Sequence, residues 1–183
     1  MATKTERQVA LLRGINVGKA KRVAMADLRA LVEGLGYTDV RTLLNSGNVV
    51  YTASAKLAGG SAARIEAAIA RDLGVSSRVT VLSAAELATV VRDNPLVEVA
   101  DNHSRLFAMV LADAAARTAV LPLTRRDWAP EGFAVGKHAA YAWCPGGVLE
   151  SPAMLAAGKA LGDNVTTRNW ATMLKIAALA GVE

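Results

Sequence analysis

Two short predicted strand runs, 39–44 and 48–52, are separated only by Asn45-Ser46-Gly47, and that spacing restricts the fold more than any other feature of the chain. Three turn-forming residues leave no room for a helix, so the runs pair as an antiparallel hairpin. The hairpin's flanks read differently. On one side Met25, Leu28, Leu31, Val32 and Leu35 recur at helical spacing, and Gly36 is placed to end that helix in the left-handed conformation. On the other side Ser61 is a predicted cap for a helix carrying Ile65, Ala68, Ile69 and Leu73. Outside both lie a run over 8–13, apolar on both faces as an interior strand is, and a further strand over 78–82. The order is βαββαβ, the ferredoxin-like unit, in an α+β fold.

A capping box, Ser83 with Glu86, opens a third helix carrying Leu87, Val90 and Val91, and Asn94-Pro95 ends it. The second half repeats the plan less regularly. It has a predicted strand over 105–111, a short helix over 113–119, an irregular stretch over 121–130, and a hairpin of 133–135 with 139–143 around Gly136-Lys137-His138. Ser151-Pro152 caps and begins another helix. Where a fourth strand would follow, the pattern predicts a helix over 168–180. The expected organisation is two ferredoxin-like halves, 1–93 with its bridging helix and 103–183, the second degenerate and closed by a C-terminal helix.

Topology then locates a candidate site. Right-handed crossovers set the first and second strands parallel with the third between them, so the first strand ends on the same sheet edge as the 45–47 turn. The loop Arg13-Gly14-Ile15-Asn16-Val17-Gly18-Lys19-Ala20-Lys21-Arg22 leaves that strand, and every ionisable side chain from Arg7 to Arg22 is basic. Arg13, Asn16, Gly18 and Lys19 should therefore lie near Ser46 and Asn48, beside the first helix's N-terminus. Cations, neutral donors and glycines together suit a phosphate or carboxylate. The plainer reading gives the glycines to backbone geometry, Asn45 and Ser46 to the turn, and Lys19, Lys21 and Arg22 to solvent. Neither a Walker A sequence nor a dinucleotide fingerprint fits: Gly18-Lys19 is one residue too close to Gly14, and Ala20 replaces the magnesium-holding hydroxyl.

A second polar motif, Thr166-Thr167-Arg168-Asn169-Trp170, is predicted to open the last helix. One Thr would cap it, and Trp170, Met173, Leu174 and Ala177 would form its buried stripe. Arg168 in a first helical turn opposes the macrodipole, so a partner is expected for it, either an acid or a bound anion. Arg168 and Asn169 thus join the candidate ligand residues.

Other chemistries find no support in the pattern. Cys144 stands alone next to Trp143, and neither His103 nor His138 has a second ligand at useful spacing, so no metal, cofactor or catalytic residue is assigned. Aromatic residues make up 4% of the chain and the first strand has none, which argues against base stacking on the sheet face. Hydrophobic residues reach 52%, largely through alanine, yet no window is long and apolar enough for a spanning helix. The segment Met1–Arg7 reads as a polar lead with no signal h-region, and a lone Cys suits a reducing cytoplasm. A formal charge of +5 favours anionic partners.

Taken together, Leu12-Arg13-Gly14-Ile15-Asn16-Val17-Gly18, Met25-Ala26-Asp27-Leu28-Arg29, Ser46-Gly47-Asn48-Val49-Val50 and Thr167-Arg168-Asn169-Trp170 with Thr172 and Lys175 make the chain resemble a bacterial family, domain of unknown function 1697. The resemblance spans nearly the whole sequence and implies two ferredoxin-like subdomains; it implies no established activity. Lys19 stands where a second Gly is usual in that family, and Asn45 where Gln is usual.

The leading expectation is a cytoplasmic, non-membrane protein binding a phosphate-bearing ligand, nucleotide or nucleic acid, at the first-loop edge. Arg13 and Lys19 would supply charge, Asn16, Ser46 and Asn48 neutral donors, and Arg168 with Asn169 would close the site. The alternatives are an enzyme acting on a small anionic substrate, and an interaction module whose polar motifs are structural. Oligomeric state is left open.

Overall fold

The structure, a computed structural model, describes residues 4–183; Met1–Thr3, the start of the expected polar lead, lie outside the described residues. The chain divides into two compact units, one running to Leu87 and including Ala178–Glu183, the other Ala88–Ala177.

The first unit contains β1 (Thr5–Leu12), α1 (Met25–Gly34), β2 (Thr38–Leu43), β3 (Asn48–Ser54), the single turn α2 (Ala55–Ala58), α3 (Ser61–Leu73), β4 (Val79–Ser83) and the start of α4 (Ala84–Arg92). Its four-stranded sheet has the order β2-β3-β1-β4, and every neighbouring pair is antiparallel. That is the ferredoxin-like arrangement expected from the short hairpin. Ala10, Leu12, Val49 and Tyr51 project from one face onto Leu28 and Val32 of α1 and Ile65 and Ile69 of α3. Val9, Leu11 and Val50 on the other face are also fully buried, which is why β1 shows no alternation of apolar and polar residues. Gly36 ends the α1 segment at φ +95°, its N–H donating to Glu33 O at 3.0 Å.

The predicted capping box is present: Glu86 Oε2 accepts from Ser83 N at 2.8 Å and Ser83 Oγ accepts from Glu86 N at 3.2 Å. Ser61 does not cap α3. Gly60, at φ +73°, occupies the cap, and Ser61 is a buried first helical residue whose Oγ donates to Gln8 Oε1 at 2.8 Å. A hydroxyl carried to the wall of β1 finds a better acceptor there than in its own helix.

In the second unit β5 (Leu106–Leu111), α5 (Ala114–Val120), β6 (Gly132–Val135), β7 (Ala139–Trp143), α6 (Pro152–Leu161), β8 (Val165–Asn169) and α7 (Trp170–Ala180) give the sheet order β6-β7-β5-β8. The expected degeneracy is corrected here: the fourth strand exists. Residues 165–169 pair with β5 along their whole length, from Phe107↔Asn169 to Leu111↔Val165. Val165, Thr166 and Thr167 are β-branched and suit a half-buried pleated strand better than a helical turn. Arg168 is therefore a strand residue, and its supposed conflict with a helix dipole does not arise. Each unit is a complete βαββαβ repeat followed by a helix.

Smaller corrections concern the same half. The 121–130 stretch begins with a 3-10 turn, Leu121–Arg125. The cap of α7 is Asn169, whose Oδ1 accepts from Thr172 N at 2.9 Å, and not a Thr. Leu174 is exposed; Ile176 takes its place beside buried Trp170, Met173 and Ala177. Elsewhere Ser151 caps α6 as expected, accepting from Met154 N at 3.1 Å, and Asp113, placed by the sequence inside the helix, is the cap of α5, accepting from Ala116 N at 2.8 Å. The second core packs Met109, Leu111, Ala140 and Ala142 against Ala116, Val120, Ala157 and Leu161.

Candidate functional site

Because β1 and β3 are antiparallel, the end of β1 meets the start of β3. Leu11 faces Asn48 in the ladder, and Leu12 N donates to Gly47 O at 2.9 Å. Gly47 sits at φ +84°, and a Cβ there would fall 2.7 Å from Leu12 Cβ and 2.9 Å from Ile15 Cδ1. Only glycine fits both the left-handed backbone and the close approach of the first loop.

Asn16 joins loop to turn. Its amide nitrogen donates to Asn45 O at 2.8 Å and to Val23 O at 2.9 Å, while its Oδ1 accepts from Val23 N at 2.9 Å. Its own N–H donates to Lys21 O at 3.0 Å. Asn16 takes φ +54°, a conformation asparagine tolerates better than most residues. The first loop is thus folded back on itself and fastened to the hairpin, with Ile15 and Val23 buried beneath and Val17, Gly18, Lys19, Ala20, Lys21 and Arg22 exposed.

Asn48 is fully buried, its Nδ2 donating to Leu43 O and to Ser46 Oγ, each at 2.9 Å. The structure therefore gathers Arg13, Asn16, Gly18, Lys19, Ser46 and Asn48 at one rim, but divides their work. Asn16 and Asn48 hold the rim's shape, and the exposed cations Lys19, Lys21 and Arg22 face solvent.

Sequence reasoning missed a third contributor. The antiparallel pairing of β1 with β4 brings the segment before β4 to the same rim: Arg13 N donates to Arg78 O and Ser77 Oγ donates to Arg13 O, both at 2.9 Å. The signal was available, since a fourth strand beside the first must begin where the first one ends. Arg78 is exposed and adds another cation.

Arg168 and Asn169 belong to the second unit. Arg168 lies on β8 level with Ala108 of β5, which in turn faces Tyr141 of β7. Arg168 is 8% exposed, its Nη1 donates to Thr167 O at 2.9 Å, and desolvation lowers its pKa to about 10. Tyr141 on that face donates its hydroxyl to Val90 O at 2.7 Å and stands edge-on to Trp170. Trp170 is core, as expected. Cys144 is buried within 3.4 Å of Ser151 Oγ, and burial raises its thiol pKa, opposing thiolate chemistry. Among the described residues no helix is long and apolar enough to cross a membrane.

The two repeats define the class as a tandem ferredoxin-like α+β protein. A model of the family described as "Protein of unknown function (DUF1697)" matches residues 5–141, and the chain belongs to that family. Among solved structures it is similar to the conserved bacterial protein SP0830 from Streptococcus pneumoniae, at TM-score 0.76 and 21% identity, over 97% of this chain and 99% of that one. No curated protein matches the chain.

Proposed function

We propose that the rim formed by residues 13–22, 44–48 and 76–78 binds a phosphate-bearing ligand, a nucleotide or nucleic acid. The observation that carries this is the Asn16 clasp, with its 2.8 Å bond to Asn45 O. It folds the first loop onto the hairpin and leaves Lys19, Lys21 and Arg22 at the surface, beside Arg13 and Arg78. A protein gains nothing in fold stability from gathering like charges, and such a cluster is attractive to an anion. Arg13 and Lys19 supply charge, Gly18 lets the backbone approach, and Ser46 borders the turn. Asn16 and Asn48 serve as frame.

The test is ligand-induced stabilisation. A ligand present at a hundred times its Kd stabilises the folded state by about 2.7 kcal/mol, which is several degrees in Tm for a chain of this size. ATP and inorganic tripolyphosphate should raise Tm, and Arg13→Ala with Lys19→Ala should remove the shift. No shift with either ligand up to millimolar concentration contradicts the proposal. In that event the interaction-module reading gains, favoured by Asn169 capping α7 and by the internal bonds of Asn16 and Asn48.

A further inference from the structure

We infer that the first unit carries a second site, apart from the rim and independent of the phosphate reading: a cleft that binds a small zwitterion, an aliphatic α-amino acid. The cleft has a volume of about 370 Å³ and lies at the opposite end of β1 from the rim, among the start of β1, the end of β4 and the first turn of α3. That volume falls in the range of small-molecule sites. All of its lining comes from the unit that runs to Leu87.

The lining is of two kinds. Two carboxylates contribute the first: Glu6 Oε2 accepts from Gln8 Nε2 at 2.6 Å and Glu86 Oε2 accepts from Ser83 N at 2.8 Å. Each is fixed through one oxygen, and the other oxygen takes no hydrogen bond among the described residues. The second is the N-terminus of α3, thirteen residues long and capped by Gly60 without a side-chain bond. Its Ser61 and Ala62 N–H groups have no acceptor among the described residues, and with the helix dipole behind them they suit a carboxylate. No Lys or Arg lines the cleft, and Arg64 on the same helix is turned to Tyr37 Oη, Leu57 O and Gly59 O. A plain anion would meet two carboxylates with no cation to offset them, and a plain cation would meet the positive helix end. A zwitterion satisfies both, its ammonium at Glu6 and Glu86 and its carboxylate at α3. Ala58 and Val81 favour an aliphatic side chain as the remaining group.

A buried hydroxyl gives an independent indication. Tyr51 stands directly opposite Gln8 in the β1–β3 ladder, fully buried, with Ser61 beside its hydroxyl. That hydroxyl has no hydrogen-bond partner, although buried hydroxyls are nearly always paired. Gln8 and Ser61, 4% and 2% exposed and bonded to each other at 2.8 Å, line the cleft in front of it. The Tyr51 O–H is thus a donor held behind the α3 N-terminus, on the side where the ligand carboxylate sits.

Isothermal titration calorimetry on the full chain compares L-leucine and L-alanine with isovalerate, which lacks the ammonium, and isoamylamine, which lacks the carboxylate. Leucine should bind, and each single-charge analogue should bind at least tenfold more weakly. Glu6→Gln/Glu86→Gln keeps the oxygens that accept from Gln8 and Ser83, so it should fold with an unchanged circular dichroism spectrum. It should nevertheless weaken leucine at least tenfold and erase the preference for leucine over isovalerate, whereas Lys137→Gln/Lys159→Gln should bind as the parent does. The inference is overturned if neither amino acid binds at millimolar concentration, if isovalerate or isoamylamine binds as tightly as leucine, or if the glutamine variant binds leucine like the parent. Tripolyphosphate has no role in these titrations, so their failure would leave the rim proposal intact.

Discussion

Replacing Asn16 by alanine should loosen the first loop from the hairpin, and the size of the effect follows from its bonds. Three side-chain hydrogen bonds are lost, to Asn45 O, Val23 O and Val23 N, each worth about 1 kcal/mol net. Alanine must also hold φ +54°, costing about 1 kcal/mol more than in a residue that accepts that region readily. Part of the clasp is solvent-accessible and water replaces some of what is lost, so the expected destabilisation is about 2–3 kcal/mol. Asn16→Gly loses the same bonds without the backbone penalty and should be destabilised by about 1 kcal/mol less than the alanine variant. Equilibrium urea unfolding reads the global effect; hydrogen exchange at the Val23 amide reads it locally and should quicken roughly 30- to 100-fold, at a factor of ten per 1.4 kcal/mol. An alanine variant within about 0.5 kcal/mol of the parent, with Val23 exchange unchanged, would refute the clasp.

Gly47→Ala should cost about 2–5 kcal/mol, combining a left-handed non-glycine residue with a Cβ forced against Leu12 and Ile15; thermal unfolding checks it. Cys144, being buried with its thiol pKa raised, should resist iodoacetamide at pH 8 in the native protein and react fully in denaturant. Native labelling at the rate of free cysteine would contradict the burial. Asp39 should titrate below its ordinary 3.8, because the Arg7 guanidinium hydrogen-bonds to its carboxylate at 2.6 Å and holds it charged. A depressed acid pKa contributes stability above the unfolded value, and that contribution is lost as pH falls through the folded one. An NMR titration of the Asp39 carboxyl should move back toward 3.8 in Arg7→Gln; no movement would rule out the pairing.

Much of the fold could be read from the chain because local signals and tertiary demands agree. The Asn45-Ser46-Gly47 turn, the Gly36 stop, the Ser83–Glu86 box and the Ser151 cap are all chemistry within a few residues. Failures occurred where a distant partner decided the outcome. Thr166-Thr167-Arg168-Asn169 can be read as a helix start until β5 is known to offer an unpaired edge. Ser61 reads as a cap until Gln8 is found across from it. Leu174 fits a stripe that the packing around Trp170 and Ile176 shifts by part of a turn. At the rim, topology alone placed the first loop beside the hairpin. It could not show that the amides of Asn16 and Asn48 point inward, because orientation is set by carbonyls that become available only when the loop closes. The Arg78 contribution lay within reach of the same topological reasoning.

A nitrogen-15 NMR titration with inorganic tripolyphosphate would test the rim most directly. Concentration-dependent shifts should be confined to the amides of 13–22, 44–48 and 76–78 and should vanish in the Arg13→Ala/Lys19→Ala protein. Shifts centred elsewhere in the chain, or none at saturating tripolyphosphate, would contradict the assignment of this edge as the binding site.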